Sequence, residues 1–129
     1  MKGRLGDTTE EIVLAKAKRL SVQSRIILHR GFFEETLPRF SASSLSLVHL
    51  DCDLFASYTV CMTHLWPRLQ SGGVMVFDEF EDPAWPGARL AIDEFFRDRV
   101  EKPTGLAFGQ GYVRKLPPLT AGAENRSCK

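Results

Sequence analysis

The feature that most constrains this chain is a pair of short apolar runs that each end on a carboxylate. Leu45 to Leu50 reads LSLVHL and leads into Asp51; Val74 to Phe77 reads VMVF and leads into Asp78. Both have strand length and β-branched content. The interval from Ser57 to Gln70 is long enough for the crossover helix that parallel strands require, and such crossovers are right-handed, so both strand ends emerge on one edge of the sheet. Adjacent strands lie about 4.8 Å apart, so Asp51 and Asp78 converge in space although 27 positions separate them in sequence. Asp53 and Glu79 stand beside them. Four acids in one small volume repel one another unless a cation sits between them.

The remaining elements follow from local signals. Thr8 with Glu11 fits a capping box, and Ile12, Ala15 and Arg19 or Leu20 at helical spacing predict a helix ending near Leu20. Arg25 to His29 predicts a short strand; Gly31 breaks it, and FFEETLPRF gives about two helical turns stopped around Pro38. Ser41 to Ser44 reads as a loop. After the first central strand, a helix from Ala56 or Ser57 carries Val60, Cys61, Leu65 and Leu69 on one face, with Trp66 and Pro67 near its end. Gly72 and Gly73 read as the turn into the second strand. EFEDPAWPG is an acidic, Pro-rich loop at a strand tip, a usual place for function. Pro86 or Gly87 opens another helix with Leu90 or Ala91, Phe95 and Val100 inward. Gly105 to Phe108 and Tyr112 to Leu116 predict a closing hairpin about GQG, and from Pro117 onward a disordered tail is expected.

Alternating strands and helices, apolar on both sheet faces, predict an α/β layer sandwich with a mainly parallel sheet, whose ligands bind outside the carboxyl ends of the strands. At 129 residues, with 43% apolar and 26% charged residues, the chain reads as one domain of ordinary globular composition. A net charge of +1 gives no drive toward nucleic acid or an acidic membrane surface. No apolar run reaches membrane-spanning length and the first residues lack a secretory core, so a cytoplasmic location is expected. Cys52, Cys61 and Cys128 have no CxxC spacing and read as thiols, the first two buried.

GFFEETLP, LVHLDCDLFASY, LWPRLQSGGVMVFDEF and GARLAIDEFF, in that order, resemble the second half of the macrocin-type sugar O-methyltransferases, class I enzymes that use S-adenosylmethionine and magnesium. The resemblance spans roughly Glu11 to Lys115 and rests most on LDCD, RLQSGG and FDE in combination. It implies the C-terminal portion of a Rossmann-like methyltransferase fold over residues 1–116, with Asp51, Asp78 and Glu79 holding Mg2+. The metal would position and acidify a hydroxyl of a diol-bearing small molecule. Asp51 and Asp53 are the expected catalytic residues, and Asp53, His49 or a residue outside the chain takes the proton. Gly31, Phe32, Phe33 and Glu34 would lie near the adenine of the methyl donor.

Two departures accompany the resemblance. Glu79 stands where the family commonly has a second Asp, which moves the carboxylate by about 1.5 Å on bond-length grounds. A Gly-rich strand-to-helix turn and the acidic strand end after it, which hold the donor's methionine and ribose, do not precede Glu11. In the family's sheet order the two strands that carry them lie between the Arg25 strand and the Leu47 strand. The chain is therefore expected to be a truncated, fragmentary or degenerate methyltransferase, weak or inactive alone, with a second copy or a partner chain covering its exposed sheet edges.

Blander readings stand beside these. His49 alternates in phase with Asp51 and reads as a packed core histidine; His29 and His64 read as surface or packing residues, and Cys52 as a small filler. Trp66, Trp85, Phe32 and Phe33 read as packing. Two other functions compete: LDCDLF resembles the nucleophile motif of haloacid-dehalogenase-type Mg-dependent phosphatases, although Phe55 stands where that motif wants Thr or Val, and the chain can equally be a non-catalytic remnant that folds on a partner.

Overall fold

A computed structural model describes residues 8–118. The chain divides into two compact units, passing from one to the other between Gly31 and Phe32.

In the first unit, helix α1 spans Glu10–Arg19. Its cap is Thr9, one residue later than expected, whose hydroxyl accepts from the Ile12 N–H at 3.4 Å. Glu10 and Glu11 stand at the positive end of the helix dipole and Lys16, Lys18 and Arg19 at the negative end. Ala17 is its buried residue, while Ile12 and Ala15, expected to face inward, are exposed. The strand expected at Arg25 to His29 is a correction: Gln23–Arg25 is a 3-10 turn, and the segment after it joins no sheet. Ile27 is 81% exposed there. β-branched residues favour extended backbone, but a strand also needs a neighbour for its N–H and C=O groups.

The second unit begins with helix α2 (Phe33–Thr36), which tightens into a 3-10 turn, Leu37–Arg39. A mixed sheet follows in the order β1 (Leu45–Leu50), β2 (Leu69–Phe77), β4 (Gly111–Arg114), β3 (Thr104–Gly105). β1 and β2 are parallel, joined through α3 (Phe55–Leu65), and the closing pair β3 and β4 is antiparallel, as expected. Helix α4 (Pro86–Phe96) returns the chain from β2 toward that pair.

Register decides which side chains share a face. Val48, Met75 and Val113 lie in one row, and Leu50 and Phe77 in the next. These buried residues pack against Tyr58, Cys61 and Met62 of α3 and Ala88, Ala91, Ile92 and Phe96 of α4. Trp66 meets Phe96 edge-on, with ring centres 4.9 Å apart. The opposite face carries Leu47, which is 61% exposed, together with His49, Val74, Val76 and Tyr112. Of the residues expected to face inward here, Ala91, the alternative to Leu90, is buried and Phe95 partly so; Val100, beyond the end of α4, is a correction, since it is exposed.

The Gly72–Gly73 turn is also corrected, since β2 already starts at Leu69. Leu45 lies opposite Leu69 but Leu47 lies opposite Val74, so β2 takes five steps where β1 takes two. The surplus is a bulge, and Gly72 adopts φ +80°, the left-handed conformation that glycine takes without strain. From Val74 the two strands stay in step to their tips. The tail expected from Pro117 falls, from position 119 onward, outside the described residues.

Candidate functional site

The parallel ladder runs one bond past the strands, because the Asp78 N–H donates to the Leu50 carbonyl at 2.9 Å. That bond holds the two acid-bearing tips side by side. One ligand oxygen from each of Asp51, Asp78 and Glu79 lies within 4.8 Å of the others. The expected convergence is therefore met by geometry, with Asp51 exposed, Asp78 half-buried and Glu79 buried.

Each acid is held differently. Asp78 Oδ1 accepts from Gln110 Nε2 at 2.6 Å and lies 3.5 Å from His49 Nε2. His49 is thus no core histidine: its side chain is 51% exposed beside the cluster, because the face of β1 it shares with Leu47 is the open one. Glu79 is 3% exposed, and its Oε2 accepts from the Tyr58 hydroxyl. That hydroxyl also lies 3.1 Å from the Leu50 carbonyl and 3.5 Å from the Glu79 N–H. Asp53 takes a left-handed conformation, φ 57°, which Asp tolerates better than most residues.

Crowding shows in the protonation of these groups. Burial pushes the Glu79 carboxyl up from its ordinary value; the Tyr58 bond pulls it back, and Asp51 pushes it further. Asp53 is raised by burial and then by the charges of Asp51, Asp78 and Asp82. Burial also raises the Tyr58 phenol, with the Glu79 bond adding to it. No lysine or arginine among the described residues forms an ion pair with these acids. A set of hard oxygen donors without a compensating cation fits a small divalent ion such as Mg2+.

The expected donor-loop residues are placed as follows. Gly31, with φ 137°, closes the first unit, and Phe32 opens the second with its ring exposed. Phe33 and Glu34 form the first turn of α2. Phe33 lines a cavity of about 180 Å3 at the carboxyl end of β1, together with Leu37, His49, Asp51, Cys52 and Cys61. Cys61 is buried and Cys52 half-buried, and the contact with Cys61 pushes the Cys52 thiol up. On the other side of Asp78 a second cleft, about 470 Å3, opens between the β2–α4 loop and the β3–β4 connection.

Two site residues escaped the sequence reading. Tyr58 shares the buried stripe of α3 with Cys61, Met62 and Leu65, so helical spacing alone marks it as inward. Gln110 has no such signal, because it reads as a turn residue until the closing pair places it on Asp78.

Comparison with known proteins agrees with this architecture. The family model of macrocin O-methyltransferases matches residues 9–105. The mycinamicin III 3''-O-methyltransferase of Micromonospora griseorubida is 33% identical over 69 residues, 54% of this chain and 26% of that protein. An 8-demethyl-8-(2,3-dimethoxy-alpha-L-rhamnosyl)-tetracenomycin-C 4'-O-methyltransferase of Streptomyces olivaceus is 38% identical over 50 residues, 39% of this chain and 19% of that protein. The solved O-methyltransferase NovP shares the fold with a TM-score of 0.74 at 22% identity, covering 85% of this chain and 46% of NovP. The match thus spans about half of that solved structure and about a quarter or less of these two curated relatives. With the acid-tipped parallel strands and the antiparallel closing pair in place, the chain belongs to the macrocin O-methyltransferase family.

Proposed function

We propose that this chain carries the metal and acceptor side of an S-adenosylmethionine-dependent O-methyltransferase acting on a sugar or other diol hydroxyl. The observation that carries the reading is the convergence of Asp51, Asp78 and Glu79 on one small volume. Asp51, Asp78 and Glu79 would hold a divalent ion such as Mg2+, which would supply Lewis acidity at the acceptor hydroxyls. The chain's own groups do the rest. Gln110 and His49 orient Asp78, and Tyr58 orients Glu79. Asp53, whose carboxyl is raised by burial and its acidic neighbours, takes the proton from the acceptor hydroxyl as it becomes nucleophilic. His49 is the second group within reach of that role. Methyl transfer from a sulfonium needs donor and acceptor in line. In this reading Gly31, Phe32, Phe33 and Glu34 contribute the adenine side of the donor site, which Phe33's place beside Asp51 supports.

The donor's methionine and ribose contacts belong, in this reading, to strands beyond β1, whose outer edge is unpaired among the described strands. The chain alone is therefore expected to bind S-adenosylmethionine weakly, and a companion segment or a second chain completes the sheet. The acceptor is a small molecule rather than nucleic acid or a membrane, and the setting is cytoplasmic; no helix among the described residues is long and apolar enough to cross a membrane. A haloacid-dehalogenase-like phosphatase has no comparable support, since the family match runs through the acid-tipped strands.

Magnesium tests the assignment. Binding to the folded state adds RT ln(1 + [L]/Kd) to stability, about 2.7 kcal/mol at a hundredfold excess over Kd. Asp78→Asn is expected to remove most of that gain. Equal calorimetric binding of magnesium by the wild type and Asp78→Asn refutes the ligand set.

A further inference from the structure

Two thiols stand beside the acid cluster and take no part in the chemistry described above. Cys52 follows Asp51 directly, past the tip of β1, and Cys61 lies in the middle of α3. Cys52 packs against the core cluster to which Cys61 belongs, and both line the cavity of about 180 Å3 at the carboxyl end of β1. The two side chains are in contact, and that contact holds the Cys61 thiol below its ordinary value, as a Cys52 S–H donating to the Cys61 sulfur does. Cys61 is 2% exposed and Cys52 half-buried, so a bulky disulfide is kept from Cys61. A small oxidant is not, because the cavity holds the volume of several water molecules and hydrogen peroxide is little larger than one.

The loop that carries Cys52 has little slack. The Leu54 N–H donates to the Cys52 carbonyl at 2.5 Å, which closes a three-residue turn around Asp53, held at φ 57°. A turn of this size with a left-handed central residue is the strained form. A pull on Cys52 toward α3 is therefore passed to its neighbours Asp51 and Asp53 rather than absorbed between them. Asp78 does not follow, since its N–H is tied to the Leu50 carbonyl and its Oδ1 to Gln110.

We propose that Cys52 and Cys61 are a peroxide-sensitive thiol pair whose disulfide draws Asp51 out of line with Asp78 and so weakens the metal site. Its metal half rests on the reading of Asp51, Asp78 and Glu79 as ligands. The Cys61 sulfur attacks one oxygen of hydrogen peroxide; the O–O bond breaks, and the other oxygen leaves with the thiol proton as water, giving a sulfenic acid. The Cys52 sulfur then displaces the hydroxyl, which leaves with the Cys52 proton as a second water while the S–S bond forms. Two thiols are oxidised by two electrons and the peroxide is reduced. A disulfide holds its sulfurs about 2.05 Å apart, well inside van der Waals contact, and this shortening is the pull. A small dithiol reverses the step by exchange.

A Cys128→Ser chain, in which Cys52 and Cys61 are the remaining cysteines, tests it. After treatment with hydrogen peroxide, peptide mass mapping is expected to find Cys52 and Cys61 joined within one chain, and dithiothreitol to restore both thiols. Calorimetric magnesium affinity is expected to fall about tenfold on oxidation, because magnesium demands near-octahedral geometry, and to recover on reduction. Adding Cys52→Ala is expected to leave Cys61 as a sulfenic acid that dimedone captures. Absence of the intrachain disulfide at peroxide levels that oxidise free cysteine overturns the proposal, and so does a disulfide that leaves magnesium affinity unchanged. A reduced chain that binds no magnesium refutes the ligand set instead. The displacement of Asp51 is then read from its proton cross-peaks to Asp78 by NMR, and cross-peaks unchanged by oxidation overturn the proposal.

Discussion

Tyr58→Phe isolates one oxygen atom at the centre of the site. The ring stays, so its packing against Phe77, at a centroid distance of 6.3 Å, is kept. The Leu50 carbonyl is not orphaned, because it still accepts from the Asp78 N–H at 2.9 Å. Glu79 is the group that suffers, since its carboxyl is 3% exposed and loses the Tyr58 hydroxyl from Oε2. A buried polar group left without a partner costs about 1–3 kcal/mol, and more when charged. At about 4 °C per kcal/mol for a domain of this size, the thermal midpoint is expected to fall by about 4–12 °C. The loss depends on pH with a definite sign. Burial raises the folded-state pKa of Glu79, so its contribution is most favourable below the ordinary carboxylate value and is lost as pH rises through the raised one. The Tyr58 bond opposes that rise by favouring the charged form. Removing it must therefore cost more at pH 8 than at pH 4. Urea unfolding of both chains at the two pH values, without metal, measures the difference. In a Glu79→Leu background, where both partners are gone, Tyr58→Phe is expected to be nearly neutral. A loss below about 0.5 kcal/mol in the wild-type background, or one that is equal at pH 4 and pH 8, refutes the reasoning.

The remaining predictions concern neighbouring contacts. Glu79→Asp withdraws the carboxylate by about 1.5 Å, so it leaves either Tyr58 or the acid cluster; a stability loss of about 1 kcal/mol and no gain in magnesium affinity are expected. Tighter magnesium binding, read by calorimetry, would show instead that the longer side chain is strained. Gly111→Ala drives a methyl group into the Phe80 ring, which is itself buried, and overpacking of that kind costs about 1–3 kcal/mol. An unchanged urea midpoint would mean that the ring swings clear.

The parts legible in the sequence are those whose causes are local or fixed by general topology. β1 spans Leu45–Leu50, as its residue pattern predicts, and a right-handed crossover leaves Asp51 and Asp78 little choice but to meet. The errors arise where a neighbour decides. The run at Arg25 to His29 has β-forming residues but no strand beside it in the sheet, and the alternation that marks His49 as core holds only where both faces of β1 are covered, whereas one is open. Gly72 and Gly73 carry a turn signal, yet the chain uses them inside a strand. Gln110 lies 32 residues from the aspartate it orients, and nothing in GQG reports that distance.

The surplus at Gln70 to Gly73 also makes the sheet tolerant at one end. The bulge lies at the end of β2 remote from Asp78, and the pairing from Val74 to the strand tip is set by β1 and β4 rather than by the length of chain that precedes it. Three residues there have no match on β1, and the bonds that Gly72 and Gly73 make to Lys115 anchor the strand on the Asp78 side of Ser71. A short epitope or a fluorophore-bearing peptide inserted between Ser71 and Gly72 should be taken up in the bulge, leaving the acid pair undisturbed. The same insertion after Phe77 would shear Asp78 away from Leu50. The chain thus has a natural handle for labelling, at the opposite end of the strand from its chemistry.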